Sequence, residues 1–376
     1  MYIPQRQLSN LRDAVRPGKV MVVYGPRQAG KTTLLKKFLE SVEDDVLFVN
    51  GDDIVVRQYL ESLTIEKLKD FVGNHSMLLI DEAQYIHQIG LNLKLIVDHI
   101  PSLRVIATGS SSFDLAKDIG EPLTGRKKVL QLFPLAQLEI AQLEKLHQTK
   151  ANLDSRLIYG SYPEVVVQQS NQEREQYLRE LISSYLFKDI LQLEGIRYSD
   201  KLQRLVQLLA FQIGKEVSLA ELGRQLGMSK NTVERYLDLL EKVFVIFKRS
   251  GFSRNLRKEI VKNQRYYFYD NGIRNALINN FNPLNIRNDT GELWENYVIA
   301  ERLKRQEYLC RPVNAYFWRT YDKKEIDLIE ECQGRLAGFE IKWSPGPAKP
   351  PLDWLSAYPD ATFELIHQDN YLQFIQ

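Results

Sequence analysis

Short runs of consecutive apolar residues alternate with amphipathic stretches through the first third of the chain. Val20–Tyr24, Val46–Asn50, Met77–Asp81, Arg104–Thr108 and Lys128–Leu132 have the length and apolar density of strands covered on both faces. Between several of them, Thr32–Glu40, Thr64–Val72 and Leu91–Ile100 place apolar residues at helical spacing. This alternation predicts a mostly parallel sheet with covering helices, the α/β class. From Leu135 to Gly195 the pattern is helical and irregular, broken at Gly160-Ser-Tyr-Pro163. Residues 201–250 read as a helical run ending in a strand, and Arg265–Asp270 as a second strand. The Asn-rich stretch Phe281–Gly291 reads as a linker. A strong helix over Glu292–Arg305 then precedes strands at Ala315–Tyr321, Glu325–Glu330, Leu336–Trp343 and Thr362–Ile366.

Two motifs turn the first of these patterns into chemistry. Gly25-Pro-Arg-Gln-Ala-Gly30-Lys31-Thr32 matches the phosphate-loop spacing G-x-x-x-x-G-K-[ST], with an apolar strand before it and a helix after it. Glycines let backbone N–H groups converge on phosphate oxygens, and the helix N-terminus adds partial positive charge. Lys31 is expected to reach the β and γ phosphates of ATP and Thr32 to offer its hydroxyl to Mg²⁺. Fifty residues after Lys31, Met77-Leu-Leu-Ile-Asp81-Glu82 ends a buried strand on two carboxylates. Asp81 would orient the Mg²⁺ and Glu82 would align and deprotonate the attacking water. A third strand ends in Ala107-Thr108-Gly109-Ser110-Ser111, whose hydroxyls are placed either to sense the γ-phosphate or to cap the next helix. Arg126, after Gly125, is open to two readings: a finger that reaches a neighbouring subunit's phosphate, or a surface ion pair.

The segment after residue 200 carries a second kind of signal. Ser218-Leu-Ala-Glu221 is a capping box that starts a helix over Leu219–Leu226, and Gly227-Met-Ser229 turns the chain into Lys230–Val243. Val233, Tyr236, Leu237 and Leu240 form the apolar stripe of the second helix, leaving Lys230, Asn231, Glu234 and Arg235 outward. This is helix-turn-helix spacing, with Phe244–Lys248 and Arg265–Asp270 as the strands of a wing bearing Arg249, Arg254, Arg257 and Lys258. Charge strengthens the reading: Lys201 to Arg265 holds 14 Lys or Arg against 6 Asp or Glu, a balance of +8 in a chain whose net charge is +2. DNA contact and a purely structural or protein-adaptor role both remain open for such a module. Near the end, Glu325-Ile-Asp327 and Glu340-Ile-Lys342 place like-facing pairs on two strands, with Glu295 on the preceding helix. Carboxylates and a lysine in this order suit Mg²⁺ or Mn²⁺ and a scissile phosphate, but also an ordinary charged sheet face.

Composition narrows the setting. The 376 residues are 44% hydrophobic and 26% charged, the balance of a globular protein of several domains. Apolar runs are strand-length, and the polar N-terminus lacks a signal-peptide pattern, so no membrane association is expected. Two cysteines and five scattered histidines argue against a structural zinc site and for a cytoplasmic setting.

Taken together, these motifs resemble a prokaryotic family of AAA-type ATPases with a C-terminal region of unknown function. The resemblance is carried by Gly25-Pro-Arg-Gln-Ala-Gly-Lys-Thr-Thr33, Leu79-Ile-Asp-Glu-Ala-Gln84, Thr108-Gly-Ser-Ser111, Leu123-Thr-Gly-Arg126 and Gly160-Ser-Tyr-Pro163. Tyr267-Phe-Tyr-Asp270, Gly291-Glu-Leu-Trp-Glu-Asn296, Glu325-Ile-Asp327 and Glu340-Ile-Lys342 complete it. It implies a P-loop AAA-type core over residues 1–134, a helical lid over 135–200, a winged helix over 201–285 and a PD-(D/E)XK nuclease-like α/β domain over 286–376. It implies nucleotide contacts at Gly25, Gln28, Ala29, Gly30, Lys31, Thr32, Thr33, Asp81 and Ser110, with Lys31, Glu82, Arg126 and Lys342 catalytic. The nuclease-like set would be Glu295, Asp327, Glu340 and Lys342, with DNA contacts at Lys230, Asn231, Arg235 and Arg254. The expected protein is a homo-oligomeric ATPase acting on DNA with a metal-dependent nuclease domain. The alternative is a non-nucleolytic ATP-dependent switch or scaffold that binds DNA or a protein partner.

Overall fold

The strands VMVVY (β1, Val20–Tyr24) and MLLID (β3, Met77–Asp81) are buried at every position, because helices cover both sheet faces. In this computed structural model, which describes residues 2–110, 123–183, 199–253, 264–320, 322 and 324–376, they join β2 (Val46–Asn50), β4 (Arg104–Gly109) and β5 (Lys127–Gln131). All neighbours are parallel, in the order β2-β3-β4-β1-β5. Successive residues point to opposite faces, so each strand feeds two cores. Met21, Val23, Leu79 and Ile106 pack with Leu34, Leu35 and Phe38 of the helix Lys31–Leu39. Val20, Val22, Leu78 and Ile80 pack with Leu93, Ile96 and Val97 of the helix Ile89–His99. This order inserts β4 between the strand that feeds the phosphate loop and the strand that ends on Asp81. The C-terminal ends of β1, β3 and β4 therefore meet on one edge of the sheet, where open α/β sheets collect ligands.

The second half is built on a seven-stranded mixed sheet in the order β12-β11-β10-β9-β7-β8-β6. Its strands are β6 (Glu216–Val217), β7 (Ile246–Gly251), β8 (Gln264–Phe268), β9 (Asn314–Arg319), β10 (Glu325–Cys332), β11 (Arg335–Ile341) and β12 (Thr362–Ile366). The helices Leu219–Leu226 and Lys230–Lys242 are capped by Ser218, which accepts from the Glu221 N–H at 3.4 Å, and by Ser229, which accepts from the Thr232 N–H at 3.1 Å. Val233, Tyr236, Leu237 and Leu240 are buried as the periodicity predicts. β7 and β8 form an antiparallel pair, and β7 also runs parallel to β9 through Ser250↔Tyr316 and Gly251↔Phe317. The strands after the two helices thus share one sheet with the C-terminal strands. The wing residues Arg254, Arg257 and Lys258 lie outside the described residues.

Phe281–Gly291 departs from the linker expectation. It contains a 3-10 turn at Leu284–Ile286, and the Arg287 side chain is buried against Asp289, Asn275 and the Asn280 carbonyl. Arg287 and Asp289 are satisfied within this network while Asn282, Asn285 and Asn288 face water, a division that composition alone does not reveal.

The helix Thr290–Tyr308, longer than the Glu292–Arg305 pattern, ties the halves together. The Tyr308 hydroxyl accepts from the Phe133 N–H at 3.0 Å, and Glu301 accepts from the Gln137 N–H at 2.6 Å while pairing with buried Lys304 at 2.7 Å. Beside them Glu139 accepts from the backbone N–H groups of Arg6 and Ala136 at 2.7 and 2.9 Å. Burial pushes its carboxyl up to about 7, only partly offset by those two N–H groups and Lys304. A raised carboxyl favours the protonated native state, so stability falls as pH rises from about 4.5 through about 7. Relative to wild type, Glu139→Gln is expected to gain on the order of 2–3 kcal/mol across that window in urea titrations. A pH-independent difference would remove Glu139 as the cause. Among the described residues no helix is long and apolar enough to cross a membrane.

Candidate functional site

The phosphate loop runs from the end of β1 to the helix Lys31–Leu39. Gly25 passes so close to the β5 exit that a Cβ there would lie 2.1 Å from the Leu132 carbonyl oxygen. Any side chain would therefore displace the loop. Lys31 is buried, and its amine donates to the carbonyls of Gly25 and Pro26 at 2.9 and 3.0 Å, which holds it inside the loop's curl. Gln5, from the N-terminal segment, donates to the Gly30 carbonyl at 3.4 Å and buttresses the loop from outside.

The two motifs separated by fifty residues meet side chain to side chain. Thr32 Oγ1 donates to Asp81 Oδ2 at 2.8 Å, and Thr108 Oγ1, from the intervening β4, donates to Asp81 Oδ1. The Thr32 hydroxyl at the start of a helix and the Asp81 carboxylate at the end of β3 are two hard-oxygen donors, and they fit Mg²⁺. Glu82 adopts a left-handed backbone conformation at φ +54, uncommon for a residue other than glycine. Its N–H is held by Thr108 Oγ1 at 3.2 Å. Gln84 donates to the Glu82 carboxylate while accepting from the Ser110 N–H at 3.2 Å. Thr108 and Gln84 thus connect Asp81, Glu82 and Ser110 into one network. Thr108, expected to sense the γ-phosphate or cap a helix, instead holds Asp81 and Glu82, and Gln84 carries no spacing signal in sequence. Ser110 is buried at the end of β4, and Ser111 lies outside the described residues.

Arg126 stands elsewhere. Its carbonyl accepts from the Val20 N–H at the opposite end of β1 from the phosphate loop. Its guanidinium pairs with Asp98 at 2.6 Å and lowers the pKa of that carboxyl. It is not brought to the phosphate loop of its own chain.

The C-terminal carboxylates do converge. Lys342 lies 2.6 Å from Glu340 and 3.8 Å from Asp327. Asp327 is buried and accepts from the Ile341 N–H at 2.8 Å. Glu295, from the helix Thr290–Tyr308, accepts from the Tyr267 hydroxyl at 2.8 Å. Burial raises the Glu295, Asp327 and Glu340 carboxyls, and the charge of Asp327 adds to the rise at the other two. The unforeseen member is Arg265, on β8. It is 4% exposed, pairs with Glu325 at 2.7 Å and lies 3.8 Å from Asp327 and 4.0 Å from Glu295. Burial works against its charge, but Tyr267 and the three carboxylates outweigh that and hold its pKa above the ordinary value. The signal was present in Arg-Tyr-Tyr, since alternation puts Arg265 and Tyr267 on one face of β8. Among the described residues no three Asp, Glu, His or Cys side chains are arranged to cage one ion. A cation already stands between the carboxylates in each direction, so the set does not fit a divalent metal as it is arranged.

On the helix Lys230–Lys242, Lys230, Asn231, Glu234, Arg235 and Asp238 are exposed. They line a groove of about 820 Å³ facing Lys248 of β7. Glu241 turns inward and pairs with Lys248 at 2.8 Å.

The fold and the phosphate loop define the class: residues 17–141 match a family model described as an AAA domain, and this part of the chain is an AAA-type, ATPase-like domain. Residues 150–284 and 290–358 match two models described as domains of unknown function, DUF8612 and DUF4143. Similar chains include an uncharacterized protein of Mycobacterium tuberculosis, 29% identical over 353 residues that cover 93% of this chain and 76% of that one. An uncharacterized protein of Haemophilus influenzae is 24% identical over 82% of this chain and 79% of its own. Among solved structures, a Walker-type ATPase of Pyrococcus abyssi is similar at 14% identity and a TM-score of 0.41, covering 73% of this chain and 94% of that one. A signal transduction ATPase with numerous domains and a tetratricopeptide repeat sensor, from Pyrococcus horikoshii, has a TM-score of 0.30 at 13% identity, covering 82% of this chain and 48% of that one.

Proposed function

We propose that the chain binds Mg-ATP at the phosphate loop and hydrolyses it, and that ATP turnover drives a DNA-contacting helix-turn-helix unit. The observation that carries the ATPase reading is the 2.8 Å contact between Thr32 and Asp81 beside Lys31. Lys31 would exchange the Gly25 and Pro26 carbonyls for phosphate oxygens, and the loop amides from Gln28 to Thr33 would surround the phosphates. Thr32 and Asp81 would hold Mg²⁺, which neutralises charge building on the transferred phosphoryl group. Glu82 would orient the attacking water and take its proton, with Gln84 and Ser110 setting its rotamer. A cavity of about 340 Å³ lined by Tyr2, Ile3, Gln5, Gly30, Thr33 and Pro163 opens beside the loop and offers space for the base. Calorimetry tests the metal pair. Mg²⁺ is expected to tighten ATP binding about tenfold or more in wild type, and Thr32→Ala should erase most of that difference. Equal affinity with and without Mg²⁺ in wild type would sink the assignment.

The DNA reading is supported by Lys230, Asn231 and Arg235, exposed on the first turns of a capped helix beside a two-stranded ribbon. Glu234 and Asp238 further along the same groove confine phosphate contact to its N-terminal end. Lys230→Ala and Arg235→Ala are each expected to lower the slope of log affinity against log salt by about one unit. Unchanged slopes in both would transfer the groove to a protein partner. A homo-oligomer is the arrangement in which Arg126 could serve a neighbour's nucleotide, since its own is at the far end of the sheet. Arg265 and Lys342, seated among the C-terminal carboxylates, weigh against DNA cleavage there.

A further inference from the structure

We infer that Arg265 is the resident cation on the Glu295, Glu325 and Asp327 side of the C-terminal acidic pocket, excluding a divalent ion there, while Lys342 occupies the Asp327 and Glu340 side. The pocket gathers Glu295, Glu325, Asp327 and Glu340 from one helix and two strands of the C-terminal region. Lys342 covers the Asp327–Glu340 side at 3.8 and 2.6 Å. Arg265 covers the other side, with Glu325, Asp327 and Glu295 at 2.7, 3.8 and 4.0 Å. A divalent ion shared by Asp327 and Glu295 needs both carboxylate oxygens at about 2.0–2.6 Å, so it cannot coexist with a guanidinium lodged between them.

Arg265 is held there by more than charge. Its guanidinium lies 4.5 Å from the centroid of the Phe317 ring on β9, which fixes its plane. Among the described residues its buried Nε meets no hydrogen-bond acceptor. β8 brings it from the helix-turn-helix unit, sixty residues before its Glu325 partner. The neighbouring Gln264 and Tyr266 line the groove beside the helix Lys230–Lys242, on the other face of the same strand. Arg265 in the acidic pocket and Gln264 and Tyr266 in the groove are therefore consecutive residues of one strand.

Mn²⁺ titrated into nucleotide-free protein, with free Mn²⁺ counted by electron paramagnetic resonance, provides the test. Wild type and Glu340→Gln are expected to bind equal numbers of Mn²⁺, because the pocket contributes none; one Mn²⁺ fewer in Glu340→Gln would overturn the inference. Arg265→Gln is expected to gain one Mn²⁺ per chain, lost again when Asp327→Asn is added, whereas Arg265→Lys gains none. A folded Arg265→Gln protein, judged by its melting transition, that binds no additional Mn²⁺ would also overturn it. Should Arg265→Gln not fold, the comparison of wild type with Glu340→Gln decides alone.

Discussion

Glu82→Gln is expected to bind ATP as wild type does and to hydrolyse it at least about 10²-fold more slowly. The amide keeps the size of the carboxylate and its contact with Gln84, so the Thr32–Asp81 pair and the loop are undisturbed. It loses the ability to accept a proton from water, and assistance of that kind contributes about 10²–10⁴-fold. Lys31→Ala has the complementary signature. The amine sits inside the loop's curl, and removing it takes away both the charge that would meet the phosphates and the two hydrogen bonds that shape the loop. Binding itself should be lost in that variant. Single-turnover kinetics with saturating ATP separates the two effects, and wild-type turnover in Glu82→Gln would assign the proton to another group.

Asp270→Ala is expected to destabilise the protein by about 3 kcal/mol or more in urea titration without changing the chemistry of ATP turnover. Asp270 is buried and caps the helix Asn271–Leu277, accepting from the Ile273 N–H at 3.2 Å and from the Ser161 N–H at 2.7 Å. Burial raises its carboxyl even so. Alanine would leave two buried donors unmet and a void where the carboxylate stood, and each unmet donor costs about 1–3 kcal/mol. Gly160 shows how closely the site is fitted. With φ +75, a Cβ there would lie 2.0 Å from an Asp270 oxygen, so Gly160→Ala should damage the same junction. Asp270→Asn, which retains one acceptor, should lose less. Equal stability of wild type and Asp270→Ala would show that the caps contribute little.

This junction explains two motifs that the sequence could display but not interpret. Gly160-Ser-Tyr-Pro163 and Tyr267-Phe-Tyr-Asp270 have no chemistry of their own, yet the first supplies the backbone that the second's carboxylate binds. Elsewhere legibility tracked distance along the chain. β1, β3 and the two capped helices were visible because apolar periodicity and capping are local. Lys31, Thr32, Asp81 and Glu82 were visible because their motifs are. Strand alternation was enough to put Glu340 and Lys342 together. It could not reveal that Thr108 arrives from an inserted strand to hold Asp81. Nor could it show that Arg265 crosses from β8 into the carboxylates, or that Arg126 ends at the wrong end of β1 for its own nucleotide. Those facts depend on strand order, which no window of sequence contains.

The parallel pairing of β7 with β9 also constrains how the protein can be made. During synthesis β7 and β8, which start at Ile246 and Gln264, emerge well before β9, which starts at Asn314, and until then β7 offers an unpaired hydrogen-bonding edge flanked by buried Phe247 and Phe252. A nascent chain whose emerged part ends between residues 270 and 310 would display that edge to its surroundings. Ribosome stalling within that window should therefore produce species that bind chaperones or aggregate, and the hazard should end once Asn314–Arg319 has cleared the exit tunnel and sealed the sheet.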